Sequence, residues 1–272
     1  MLRITRAHPR PVLSLLAAAF AEATALLLCL LAALPLAGCI TASGQASYGV
    51  QSEHTGYVPA RIAIFPCRRW PARASYQDLP LSNVQDTAVT ELCQEFDTFV
   101  VDGFSAQPFM KGYSPKYVEK ALGQAESAAF TADLDRTWRR EAGDCRDCRT
   151  PPAYYKAQVA ARPAWRRRLD DVSNHVHGAD AVLLPFVTYT TERHYDDRGV
   201  AVTERAAGVA LLLIDTDTGD LIWAGGREAA VPSKRFVAGD VTNSPPPPLW
   251  SAVADRLLVE DLWREFPGRQ TN

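Results

Sequence analysis

The sequence predicts an α/β (α+β) protein built on a mixed sheet, and three observations carry that expectation. A short apolar run, Arg61-Ile-Ala-Ile-Phe65, is followed by helical periodicity, as at the start of a β-α-β unit. Two turn clusters, Asp196-Asp-Arg-Gly199 and Asp215-Thr-Asp-Thr-Gly-Asp220, divide the later half into three strand-like segments. An amphipathic segment from Leu249 to Phe266 closes the chain. The expected order is β-α-β-(helical insert)-β-β-β meander-α, preceded by a signal peptide and a flexible tether.

The N-terminal segment, 1–38, carries Arg3, Arg6 and Arg10, then an apolar stretch from Val12 to Gly38 interrupted by Glu22. A positive region, an apolar region and small residues before a cut site make a secretory signal. The stretch ends in Leu36-Ala37-Gly38-Cys39, which resembles the lipobox of bacterial lipoproteins. That resemblance implies diacylglycerol on the Cys39 thiol, cleavage before it and acylation of the new amine. Several acyl chains anchor stably where one does not. The competing reading, an uncleaved membrane helix, needs about 20 apolar residues. The clean run from Ala23 is shorter and contains Pro35. Ile40, rather than Asp, follows the cysteine, and this favours the outer membrane, facing the periplasm.

Residues 39–59 are polar and rich in small side chains, and read as a tether with a reach of roughly 25 Å. Residues 60–272 are enough for one domain. The whole chain is 47% hydrophobic and 22% charged. Taking the signal's three Arg and one Glu from the totals of 29 basic and 31 acidic residues leaves a net charge of −4. Neither that balance nor export suits a nucleic-acid partner.

Within the domain, Arg61 to Phe65 reads as a buried strand ended by Pro66. Leu81 to Phe96 follows as a helix with Val84, Ala88, Leu92 and Phe96 on one face. Thr98-Phe-Val-Val101 reads as a second, parallel strand. An insert, about 104–178, offers helices at Tyr117–Ala129, Phe130–Arg140 and Ala153–Val176, with Gly178 as the last C-cap. Ala181–Thr191 is the third strand, with Pro185 suggesting an irregular or edge position. Val202–Ile214 and Leu221–Val231 complete the meander. Pro245 to Pro248 form a stiff lead into the closing helix, whose face comprises Leu249, Val253, Leu257, Leu258, Leu262 and Phe266.

Two segments of this order, Gly178-Ala-Asp-Ala-Val-Leu-Leu-Pro-Phe-Val187 and Ala210-Leu-Leu-Leu-Ile-Asp-Thr-Asp-Thr-Gly-Asp-Leu-Ile-Trp223, carry a resemblance. The pattern resembles small envelope lipoproteins whose domain is similar to the N-terminal domain of TolB and the periplasmic domain of CsgG. It covers about half of the mature chain. It implies a strand opened by Gly-Ala-Asp, a meander closed by an Asp-to-Trp hairpin, and action by binding and assembling envelope machinery.

Candidate chemistry is sparse. Cys67, Cys93, Cys145 and Cys148 suggest two disulfides in an oxidising compartment, with three connectivities open. Cys93 lies about three turns into a helix returning antiparallel to the first strand, roughly 15 Å from Cys67. Spacing therefore favours Cys67 bonding to the Cys145/Cys148 loop, or Cys145 closing on Cys148. Redox and zinc readings of Cys145-Arg-Asp-Cys148 lack a helix start and a second ligand pair. Asp215, Asp217 and Asp220 fit a turn better than a calcium loop. His175 and His177 point apart on a helix, so no metal site is expected.

Arg139, Arg140, Arg146, Arg149, Arg162, Arg166, Arg167 and Arg168 interleave with acids. They read as a solvated face, or else as a surface for an anionic glycan or phosphate. No hydrolase or nucleotide-binding signature occurs, and neither catalytic residue nor cofactor is expected. The expectation is a non-enzymatic, membrane-anchored binding or scaffold protein with an envelope partner or a second copy of itself. The alternative is a peptidoglycan- or glycan-binding module or hydrolase.

Overall fold

Alternation along the long strands decides the architecture. In the strand Ala181–Asp197, Ala181, Leu183 and Val187 are buried on one face and Val182, Leu184 and Phe186 on the other. In Val200–Asp215, Val209, Leu211 and Leu213 alternate with Ala210, Leu212 and Ile214 in the same way. Continuous apolar runs of this kind require cover on both faces of a sheet.

The computed structural model describes residues 51–52, 57–70, 82–141, 150–236 and 244–268. These belong to a compact unit spanning Ser47–Asn272. Cys39 and the lipobox residues Leu36, Ala37 and Gly38 lie outside the described residues, as do Cys145, Cys148, Arg146 and Arg149.

Among the described residues, seven strands form one mixed sheet. They are β1 (Gln51–Ser52), β2 (Arg61–Ile64), β3 (Arg68–Arg69), β4 (Lys111–Tyr113), β5 (Ala181–Asp197), β6 (Val200–Asp215) and β7 (Leu221–Phe236). Their order is β1-β7-β6-β5-β2-β4, and β3 also pairs with β5. The β5-β6-β7 meander is antiparallel, whereas β2 is parallel to both β4 and β5. Arg198 and Gly199, both at positive φ, make the tight β5–β6 turn.

Helix α1 (Ser82–Ser105) covers one face with Leu92, Phe96, Val100 and Phe104. Beside it lies α6 (Trp250–Asp255), continued by a π-helical segment, Arg256–Leu262, and a 3₁₀ turn, Trp263–Glu265. The insert covers the other face through α2 (Pro115–Leu122), α3 (Gln124–Glu141), α4 (Pro151–Tyr154), a π-helical turn (Tyr155–Val159) and α5 (Pro163–His175).

Several expectations need correction. Thr98 to Val101 is not a strand. Val100 continues the i, i+4 row from Phe96 to Phe104, so burial against the sheet overrides β propensity. The second parallel strand is β4, packed so closely that a Cβ on Gly112 would lie 2.7 Å from Phe104 Cβ. The insert therefore begins after Tyr113, not near 104. Its first two helices divide at Gly123 (φ 84) rather than between Ala129 and Phe130, and the helical stretch that begins at Pro151, close to the expected Ala153, is interrupted before Pro163.

Of the two positions expected for Pro185, the irregular one is observed and the edge one is not. Pro185 pairs with Leu211 in β6, and on its other side β2 has ended and β3 has not begun. Leu249 is 73% exposed, because the helix starts after it. The expected tether does not extend to Pro59, since Gln51–Ser52 pairs with Trp223 and Ala224 at the β7 edge.

A buried hydrogen-bond chain joins the insert to the meander. Trp165 Nε1 donates to the Tyr155 hydroxyl at 2.9 Å, which donates to the Gly219 carbonyl at 2.6 Å. Tyr155→Phe strands both partners and is expected to lower stability by about 1–3 kcal/mol in urea unfolding; an unchanged midpoint would contradict the chain's role.

Candidate functional site

Two prolines shape the place where chemistry concentrates. β2 last pairs at Ile64 with Leu183, and β3 resumes at Arg68 with Phe186, so four steps on one strand oppose three on the other. Pro66 and Pro185 fall inside that interruption, where neither could donate a ladder hydrogen bond. The extra residue makes a bulge, a device that redirects a side chain out of the pleat. Cys67 sits on this bulge and is bonded to Cys93 of α1, with Cα atoms 5.1 Å apart.

This pairing corrects the expectation from spacing. That reasoning started the helix level with the end of β2. The chain instead continues along β5 through Arg69 before α1 begins at Ser82. Eleven residues of helix then travel about 16 Å back, which returns Cys93 to Cys67.

Asp97 stands one turn beyond Cys93 on α1 and accepts the Cys67 backbone N–H at 3.0 Å. Burial pushes its carboxyl up to about 6, against the opposing influence of the Cys67 N–H and the Arg68 charge. Cys67, Cys93 and Asp97 line an open cleft of about 410 Å³, with Arg68, Arg69, Val89, Thr90 and Gln94. Asp97 was missed in the sequence because it adjoined a segment read as strand. Once the helix is extended, Cys93-x-x-x-Asp97 stands out as an acid within the apolar row of Leu92 and Phe96.

The other candidates separate. Arg162 donates to the Gln158 carbonyl and Arg166 to the Ala160 carbonyl, both at the end of the π-helical turn. Arg168 pairs with Glu126 at 3.0 Å beside a second cleft of about 340 Å³ that His175 and Asp171 also line. Arg167 is exposed. The side chains of Arg139 and Arg140 lie outside the described ones. Asp215 Oδ1 accepts the Asp217 and Thr218 N–H groups at 2.9 and 2.7 Å, the turn expected there. His175 ends α5, and His177 (φ 51) stacks on Tyr117 at 5.7 Å. Among the described residues, no group of three His, Cys, Asp or Glu could hold a metal ion.

No protein-family model matches the sequence, and no curated protein does. Similar solved structures include lipoprotein GNA1162 of Neisseria meningitidis, 14% identical over 64% of this chain and 85% of that one, with a TM-score of 0.29. The PelC dodecamer of Paraburkholderia phytofirmans is 14% identical over 79% of this chain and 94% of that one, with a TM-score of 0.31. The hypothetical protein CT253 of Chlamydia trachomatis is 11% identical over 64% and 73%, with a TM-score of 0.32. At these TM-scores the likenesses do not decide what the chain does.

Two outcomes follow from the cleft. The Cys67–Cys93 bond spans 26 residues, and chain entropy gives such a crosslink about 3.5 kcal/mol. The double Cys67→Ala/Cys93→Ala variant should lose about that in urea unfolding, and a non-reducing digest should yield the two peptides linked. The folded state holds the Asp97 proton more tightly than the unfolded chain, whose carboxyl titrates near 3.8. This group's contribution therefore declines as pH rises from about 4 and levels off above about 6, by about 3 kcal/mol. In Asp97→Asn that decline should be absent, so variant minus wild-type stability grows across this window; a constant difference would contradict the assigned titration.

Proposed function

We propose that the chain is an exported lipoprotein, held on a membrane through lipid at Cys39, whose α/β body binds an envelope partner without catalysing a reaction. The lipobox sequence supports the anchor, and an internal disulfide suits an oxidising compartment. Among the described residues no helix is long and apolar enough to cross a membrane. The resemblance of the Gly178-Ala-Asp180 and Asp215-to-Trp223 segments to TolB and CsgG domains points the same way, as does Ile40 for the outer membrane.

The observation that carries the binding reading is the far end of the meander. β5 and β6 remain paired to Asp197 and Val200, and every β5 residue from Glu192 to Asp197 is exposed. Among the described residues no strand pairs with β5 beyond Val187 on its other side. An unpaired edge is a template for strand addition by another chain. Cross-strand contacts stiffen it: Glu192 with Arg205 at 2.9 Å and His194 Nδ1 with Thr203 Oγ1 at 3.0 Å.

Cys39→Ala should abolish palmitate labelling and release the chain from the membrane fraction; persistent labelling would overturn the anchor. A photo-crosslinker at Arg193 should capture an envelope protein or a second copy, while one at Lys120, an exposed residue of α2, should not. Capture of glycan without protein would favour a glycan-binding module instead.

A further inference from the structure

We propose that the Cys67–Cys93 disulfide is a thiol–disulfide exchange site that takes two electrons from a dithiol, with Asp97 supplying the proton to the departing Cys93 sulfur. The bond forms part of the wall of an open cleft rather than being sealed in the core. Its two sulfurs are unequal. Cys67 is half-buried on the bulge, whereas Cys93 is 7% exposed and packed with the α1 face. A thiolate entering the cleft therefore meets Cys67 first. Arg69 lines the same opening, and its positive charge favours an approaching thiolate; the Arg68 guanidinium turns instead to the insert, donating to the Thr131 carbonyl and lying over Phe186.

The attacking thiolate bonds to Cys67 Sγ, the Cys67–Cys93 bond breaks, and its electron pair leaves on Cys93. A thiolate confined among apolar side chains is disfavoured. Asp97, at i+4 from Cys93 on the same helix, lies one turn away to protonate it. Its hydrogen bond from the Cys67 N–H keeps the carboxyl at the bulge. The donor's second thiol, as thiolate, then attacks its own sulfur in the mixed disulfide and releases Cys67, which takes up the second proton. The dithiol is oxidised to a disulfide and the protein disulfide is reduced to two thiols. Asp97 regains its proton from solvent, the first donor thiol having released one on ionising. The partial titration of Asp97 near pH 6 leaves it able both to give and to regain that proton.

The test follows reduction of the full chain in detergent by dithiothreitol, using timed alkylation and mass spectrometry of the Cys67 and Cys93 peptides. The rate is expressed per donor thiolate, since the thiolate is the nucleophile. It should stay level up to about pH 6, then fall by about tenfold or more by pH 7.5 as the acid is lost. Asp97→Asn should react slowly at all pH values, with no bend. The wild-type profile is informative by itself if that variant folds poorly. A flat wild-type profile, or reduction no faster than global unfolding, would overturn the proposal. A Cys-x-x-Cys peptide flanked by acids reacting faster per thiolate than dithiothreitol would identify a protein dithiol as donor, and slower reaction a small one.

Discussion

The parallel seam of the sheet depends on one carboxylate. Asp180 accepts the backbone N–H groups of Ala60 and Arg61 at 3.1 and 2.9 Å and the Arg61 guanidinium at 2.8 Å. Its own N–H donates to the Arg61 carbonyl, and its carbonyl accepts the Thr216 N–H. One residue thus ties the start of β2 to the start of β5 and to the β6–β7 turn. A slip of one residue here would exchange the two faces of β2, bringing Ile62 and Ile64 to the side now filled by Ala63 and Phe65. The Gly-Ala-Asp pattern noted in the sequence owes its form to this junction. Val176 caps α5, His177 and Gly178 turn the chain at positive φ, and Asp180 supplies the clamp.

That junction also determines where the cleft can form. With β2 registered against β5, the mismatch at Pro66 and Pro185 must be absorbed by a bulge, and the bulge holds Cys67 toward α1. The disulfide in turn ties the long helix α1 to the bulge. Backbone irregularity, crosslink and shifted acid are therefore consequences of one register rather than separate features. The lower half of the sheet, with both faces covered, is rigid support. Beyond Val187 the meander continues with β5 paired to β6, and Glu192 to Asp197 are exposed. The cleft and the exposed edge lie on neighbouring strands, since β3, which lines the cleft, pairs with β5.

Much of the fold was legible because it rests on local pattern. The three-strand meander, its two turns, the first buried strand and the closing amphipathic segment follow from alternation, from Asp-Gly turn chemistry and from helical spacing. The misreadings came where local signals were ambiguous. Phe99, Val100 and Val101 suit a strand by type, and only packing against β4 and β5 makes them helical. Leu249 fits the apolar row, yet the preceding prolines keep it outside the helix. Cys67 and Cys93 looked too far apart because the sequence does not reveal that the chain continues along β5 before turning back.

What the sequence alone determined is therefore the chemical inventory and the periodic elements: an apolar N-terminal run followed by Leu-Ala-Gly-Cys39, an α/β body, and cysteines awaiting partners. The tertiary structure alone decided which cysteines meet and that Asp97 lies beside them. The reason is physical. Periodicity is encoded within a few neighbouring residues, whereas a disulfide and the environment of a buried acid depend on register between segments far apart in the chain. That register is set by a clamp such as Asp180, whose partners lie some 120 residues away.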